Sequence, residues 1–211
     1  QGKTKMIKFQ LKGSKVGNTT CHLSTNKSTC IQECKYCYND PILLRWKNVG
    51  KNYDNVTQSI INREKIPPIP KNKVNCRISI NGDFSFDNID DSIYYIMEWY
   101  RVASEHENVN FFSYTKSWKD KKLLPYLNKL RSLKNVTIRA SVDKTTGYKI
   151  PKNWTYSGIL ENNTLDKIKV KKYFICQFNN KKSKLYKVPC DKCKICISKK
   201  LSHIPVFFDE H

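Results

Sequence analysis

Short apolar and β-branched runs alternate along the chain with segments of helical spacing, and this order leaves few folds open. Gly17 to Leu23 reads as a first strand leading into a cysteine loop. Val74 to Ile80 is a buried second strand that ends at Asn81-Gly82-Asp83. Val109 to Tyr114, Val136 to Val142, the short Ser157 to Leu160 and Tyr173 to Phe178 follow as strands three to six. Between them, Ile42 to Ile61 is helical in part and Lys119 to Leu133 forms a helix. Asp90 to Glu107 places Ile93, Ile96, Met97, Tyr100 and Val102 or Ala103 near helical spacing, with acids in the first turn. Ile66-Pro67-Pro68-Ile69-Pro70 makes a rigid connection. Strand and helix in repeated succession predict an α/β fold with a parallel sheet and right-handed crossovers. In such sheets, open or closed into a barrel, chemistry gathers at the C-terminal strand ends.

A chain of 211 residues supports one principal domain and a small appendage. No stretch approaches the roughly 20 apolar residues of a membrane span, and the N-terminus is polar and lysine-rich, so a soluble, cytoplasmic protein without membrane contact is expected. Gln1-Gly2 resembles the remnant of a cleaved tag and is left outside the domain. The net charge is +21, carried mostly by lysine. Residue bias from an AT-rich genome accounts for part of it, but such bias also favours Asp and Glu, which number only 18. A polyanionic partner such as a nucleic acid and a merely solvated basic face both fit. The charge peaks between Lys167 and Lys200, with twelve lysines against the single acid Asp191.

Seven of the nine cysteines fall into two groups, which suits metal sites better than a secreted disulfide scaffold. The first is Cys30-Ile-Gln-Glu-Cys34-Lys-Tyr36-Cys37-Tyr38. Three thiolates on one short loop can bind three corners of a 4Fe-4S cube and leave one iron open to a ligand. A zinc knuckle completed by His22 or Cys21 is the other reading. The second group is Cys190-Asp-Lys-Cys193-Lys-Ile-Cys196, and Cys176 precedes it on the sixth strand. Four thiolates there would close a second cubane with no open position, or hold a structural zinc. Lysines with Tyr173, Phe174, Phe178 and Tyr186 surround this group, a mixture that suits phosphates and unstacked bases, although the same aromatics can cover a cluster. Cys21 and Cys76 read as buried small residues.

The C-x3-C-x2-C spacing with an aromatic before the last cysteine resembles the signature of radical S-adenosylmethionine (radical SAM) enzymes. Lys15-Val-Gly-Asn18, Arg77-Ile-Ser-Ile-Asn81-Gly82-Asp83-Phe84, Tyr114-Thr115-Lys116-Ser117, the closing cysteine cluster and His211 extend the likeness over nearly the whole chain. Together they resemble the phage "gene product 88" family, which is itself similar to radical SAM proteins. The chain departs from that family in the short, enzyme-like gap before its third cysteine.

The resemblance implies a partial (β/α) barrel of about six mostly parallel strands in residues 3–165 and a small C-terminal cysteine-rich extension in residues 166–211. It implies a catalytic 4Fe-4S cluster on Cys30, Cys34 and Cys37, S-adenosyl-L-methionine chelated to the open iron, and an auxiliary cluster on Cys176, Cys190, Cys193 and Cys196. Tyr36, Asn81, Gly82, Asp83, Ser113, Thr115, Lys116 and Ser141 are the cofactor-binding candidates. Among them, Gly82 would admit close backbone approach and Asp83 would accept from the cofactor's ammonium, unless Asn-Gly-Asp is only a turn. Ser141 would meet its ribose or carboxylate, and Lys116 its carboxylate or an anionic substrate. A reductant such as flavodoxin or ferredoxin would supply the electron, in a bacterial host or phage-infected cell. The substrate class stays open between a nucleic acid or nucleotide and a peptide or small metabolite. A metal-stapled nucleic-acid-binding protein without catalysis is the non-enzymatic alternative.

Overall fold

The computed structural model describes residues 7–11, 15–31, 37, 39–45, 47–160, 164–168, 170, 172–178 and 186–209. Its elements run β1 (Thr20–Leu23), α1 (Asn39–Arg45), α2 (Lys47–Ile61), β2 (Asn75–Ile78), α3 (Ile89–Glu105), β3 (Asn110–Thr115), α4 (Leu124–Ser132) and β4 (Val136–Val142). They continue with β5 (Tyr156–Leu160), α5 (Thr164–Ile168), β6 (Phe174–Ile175), α6 (Cys190–Cys193) and β7 (Val206–Asp209). The strands form one open sheet in the order β1-β2-β3-β4-β5-β7-β6, with every pairing parallel.

Because β1 to β5 lie side by side in chain order, right-handed crossovers put their helices on one face. The core records this: Cys21, Leu23, Cys76, Ile78, Phe111, Val136, Ile138, Ala140 and Val142 pack against Val56, Ile60, Tyr95, Ile96, Trp99, Val102, Leu127 and Leu130. Strand residues alternate faces, so Thr20, His22, Asn75, Arg77, Phe112, Tyr114, Thr137 and Arg139 point the other way. Among the described residues, no helix of comparable length covers that second face. Phe112 there packs with Cys196, Ile197 and Val206 of the C-terminal segment, joined by Tyr114, Phe174 and Phe208.

The parallel order expected from the sequence holds, with shifted boundaries and one strand more than the six anticipated. β1 starts three residues after Gly17, because Gly17 turns at φ +88° rather than extending. The fourth helix begins at Leu124, with Pro125 in its first turn, and Ser117–Lys119 form a separate 3-10 turn. β6 shrinks to two residues. β7 lies between β5 and β6, so the region expected as an extension contributes two strands to the same sheet. The proline connection is rigid and also anchored: the Ile66 amide donates to Glu98 at 2.9 Å, and Arg101 donates to the Ile66 carbonyl at 2.7 Å. No described helix is long and apolar enough to cross a membrane.

His22 is 5% exposed on the second face, and its Nδ1 has no hydrogen-bond partner among the described residues. Burial, with the Arg77 charge beside it, lowers its pKa from 6.5 to about 4. The unfolded chain therefore binds a proton that the folded chain refuses between those values. Stability is complete above the unfolded value and is lost as pH falls toward about 4. Denaturant titrations at pH 7 and pH 5 should show a loss of about 2 kcal/mol, absent in His22→Gln; an equal loss in the variant would exclude His22 as its source.

Candidate functional site at the strand ends

The first cysteine loop leaves β1 at its C-terminal end. Asn26 caps the 3-10 turn Lys27–Thr29, accepting from the Ser28 amide at 3.0 Å, and Cys30 follows directly. Cys37 precedes α1, and its carbonyl accepts from the Asp40 amide at 3.2 Å. Lys27 and Asp40 close the base of this loop with an ion pair at 3.0 Å. Cys30 and Cys37 are both partly exposed free thiols. Cys34 and Tyr36 lie outside the described residues.

The loop is stitched to the end of β2. Ser24 Oγ accepts from the Ile80 amide at 2.9 Å, Asn81 donates to the Thr25 carbonyl at 3.1 Å, and the Asp83 amide donates to Thr29 Oγ1 at 2.9 Å. Gly82 has φ +72°, and a Cβ there would lie 2.2 Å from Thr25 Oγ1 and 2.6 Å from both the Asn26 carbonyl oxygen and Thr29 Oγ1. Gly82 is thus needed for a close approach between two protein loops.

Asp83 carries the stitching on to β3. Its carboxylate accepts from Thr115 Oγ1 at 2.5 Å, the Lys116 amide at 2.7 Å and the Phe84 amide at 2.8 Å. Burial pushes its pKa up, while these donors and Ser117 pull it back down. Lys116 extends to β4 through an ion pair with Asp143, whose other oxygen accepts from the Thr145 and Thr146 amides. Asn81, Gly82, Asp83, Thr115 and Lys116 therefore meet in one array beside the cysteine loop. Ser113 does not join it: fully buried on the helix-covered side, its hydroxyl donates to the Ile78 carbonyl at 2.7 Å. Ser141 is partly exposed and lies two residues beyond Arg139, which places it on the same second face near the β4 end.

The second cysteine group lies on that second face. Cys176 directly follows β6, and its amide donates to the Phe207 carbonyl at 2.7 Å. The Cys190 amide donates to the Lys15 carbonyl at 2.8 Å. Arg139, fully buried, donates to the carbonyls of Cys196 at 3.0 Å, Ile195 at 3.1 Å, Leu201 at 3.2 Å and Ile204 at 3.4 Å. Asp191 accepts from the Thr19 amide and hydroxyl, and its carboxylate occupies the space where a Gly17 side chain would stand. Burial pushes the Cys190 thiol up to about 12 and raises Cys193 and Cys196. Cys176 acts on all three thiols, and Arg77 and Lys15 oppose the rise at Cys190.

Among the described residues, no three His, Cys, Asp or Glu side chains are arranged as a metal-ion site. The donor chemistry nonetheless fits soft metal groups. Cys30 and Cys37 are free thiols beyond a strand end, and sulfur is a soft donor. In the second group burial opposes thiolate formation, Arg77 and Lys15 offset that only in part at Cys190, and a soft metal group there would have to displace the thiol protons. The sequence reading overlooked Lys15, Arg77, Tyr114 and Arg139 as parts of the second site. Arginines inside apolar strands were the available signal, since a buried guanidinium demands acceptors. Comparison with protein-family models, curated proteins and solved structures yields no match.

Gly82→Ala should lower unfolding free energy by about 2–3 kcal/mol, combining left-handed strain with displacement of the cysteine loop. Gly147→Ala isolates the strain, because φ is +75° there and nothing lies within 4 Å of the added carbon; it should cost about 1 kcal/mol. Equal losses in thermal melts would show that Gly82 is not packed against the loop.

Proposed function

We propose that this chain is a radical S-adenosylmethionine enzyme whose sheet is the partial (β/α) barrel of that class. One observation carries the reading: a C-x3-C-x2-C loop leaves the C-terminal end of β1 in an all-parallel sheet and is hydrogen-bonded to the turn that ends β2. That is the end of a parallel sheet where ligands bind. Cys30, Cys34 and Cys37 would hold a 4Fe-4S cluster, and Cys176, Cys190, Cys193 and Cys196 an auxiliary one. A cluster held at the triad and reduced by a protein such as flavodoxin or ferredoxin would supply one-electron cleavage of the sulfur to C5′ bond of S-adenosylmethionine, leaving methionine and a 5′-deoxyadenosyl radical able to abstract hydrogen from substrate.

The chain's own residues orient and enclose. The Lys27–Asp40 pair fixes both ends of the cysteine loop. Asn81, Gly82 and Asp83 hold that loop against β2, and Asp83 passes the constraint to Thr115 and Lys116. With its carboxylate engaged by three donors, Asp83 serves the cofactor by positioning the backbone around it. Lys116, partly exposed above Asp143, and Ser141 are the polar groups left to meet a carboxylate or ribose at the β3 and β4 ends. A substrate drawn from nucleic acids or nucleotides suits the +21 charge of the chain. A phage-encoded protein acting in the cytoplasm completes the reading.

Anaerobically purified, reconstituted protein should contain about four iron and four sulfide per occupied cubane, hence about eight of each with both sites filled. With dithionite and S-adenosylmethionine it should form 5′-deoxyadenosine. Cys34→Ala should abolish that product, whereas Cys193→Ala should remove iron from the second site only. Zinc at the triad, with no cleavage of the cofactor, would overturn the reading.

A further inference from the structure

The paired acids Asp40, Asp91, Glu98, Glu105 and Asp143 lie on α1, α3 or just beyond β4. At the opposite, N-terminal ends of the strands, an open cleft of about 700 Å³ runs between the starts of β1 to β4 and the segment after α6. Lys134, Lys194 and Lys200 line it, all three are exposed, and none joins an ion pair among the described residues. The acid in its lining, Asp191, is turned to Thr19 and Gly17. Lys199 braces the wall from inside, donating to the Arg131 and Val136 carbonyls at 2.7 Å each.

Four ammonium groups gathered around the one acid of the lining repel one another, and a polyanion relieves that repulsion. The cleft also holds surface that a bare phosphate does not use. Val74 is 49% exposed, and the Asn110 carboxamide stands beside it at the start of β3. An apolar side chain next to an amide suits an unstacked base, which a duplex keeps out of reach. We propose that this cleft docks single-stranded nucleic acid, with Lys134, Lys194 and Lys200 on its phosphates and a base over Val74.

This inference goes beyond the radical-enzyme reading and does not require it. At about 3.3 Å per residue, the six residues of β3 and seven of β4 separate the cleft from Lys116 and Asp143 by roughly 20 Å. The cleft therefore grips a strand away from the reactive end, and a bound strand reaches that end only by passing around the sheet.

Fluorescence anisotropy with labelled oligouridylate and oligothymidylate of about 12 nucleotides, and a duplex of equal length, tests this on the full chain. Both single strands should bind more tightly than the duplex, and the two arms show whether the 2′-hydroxyl contributes. The triple variant Lys134→Ser/Lys194→Asn/Lys200→Ser should raise Kd at least about tenfold and reduce the slope of log Kd against log salt by about two. Asn is chosen because Lys194 has φ 60°, a conformation Asn tolerates. Lys119→Ser/Lys121→Ser/Lys122→Ser removes equal charge from exposed positions beyond β3 and should change Kd less than about twofold. If the first triple variant melts early, Lys134→Ser/Lys200→Ser replaces it, with the same direction expected. Equal weakening by both sets, preference for duplex, or competition by polyglutamate as effective as by oligonucleotide would overturn the proposal.

Discussion

A guanidinium removed from water must find acceptors, and Arg139 finds four backbone carbonyls in the segment from Ile195 to Ile204. That requirement organises half of the molecule. Right-handed crossovers commit α2, α3 and α4 to one face of the sheet, and among the described residues no helix longer than the four-residue α6 lies over the other. The C-terminal segment supplies the cover as a loop, and a loop carries carbonyls that no helix or sheet has used. Arg139 satisfies them, and in doing so fixes where Cys190, Cys193 and Cys196 lie relative to β3 and β4. Asp191 clamps the same segment to the entry of β1.

The strand ends obey a different logic. Ser24, Thr25 and Thr29 after β1, Asn81 and Asp83 after β2, Thr115 and Lys116 at the end of β3 and Asp143 after β4 form one hydrogen-bonded chain across four strands. Each link except the Lys116 ammonium is a short polar side chain or a backbone group, so the loops are held to each other more than to solvent. Such a rim is stiff, and stiffness is what positioning a reactive group requires. The Lys27–Asp40 pair adds a closure at the mouth of the cysteine loop.

Much of this was legible in the sequence where local physics decides the outcome. β4 kept its expected bounds because Val136, Ile138, Ala140 and Val142 alternate with Thr137, Arg139 and Ser141 over a full strand. Asp90 and Asp91 announced the start of α3, and Asn88 caps it. What escaped was set by contacts distant in sequence. Val206-Phe207-Phe208 looks like an ordinary apolar triplet, and only pairing with β5 and β6 makes it a strand. Ser113 shares its strand with Tyr114 and Thr115, and which of them faces the helices depends on a register that composition does not reveal. Gly82 reads in the sequence only as a place where backbone can come close, and its contacts with Thr25 and Thr29 depend on how two distant loops meet.

The placement of β7 bears on how this chain assembles as it is made. Among the described residues β6 pairs with the sheet only through β7, which is synthesised about thirty residues later. Until then Cys176 has no dock, and the bare face of β1 to β4 waits in water. Around the apolar Phe112 and Tyr114 that face carries His22, Asn75, Arg77, Thr137 and Arg139, groups that hydrate well and so limit its adhesion to neighbouring chains. The polarity that makes this face costly to bury in the finished protein keeps it soluble during birth.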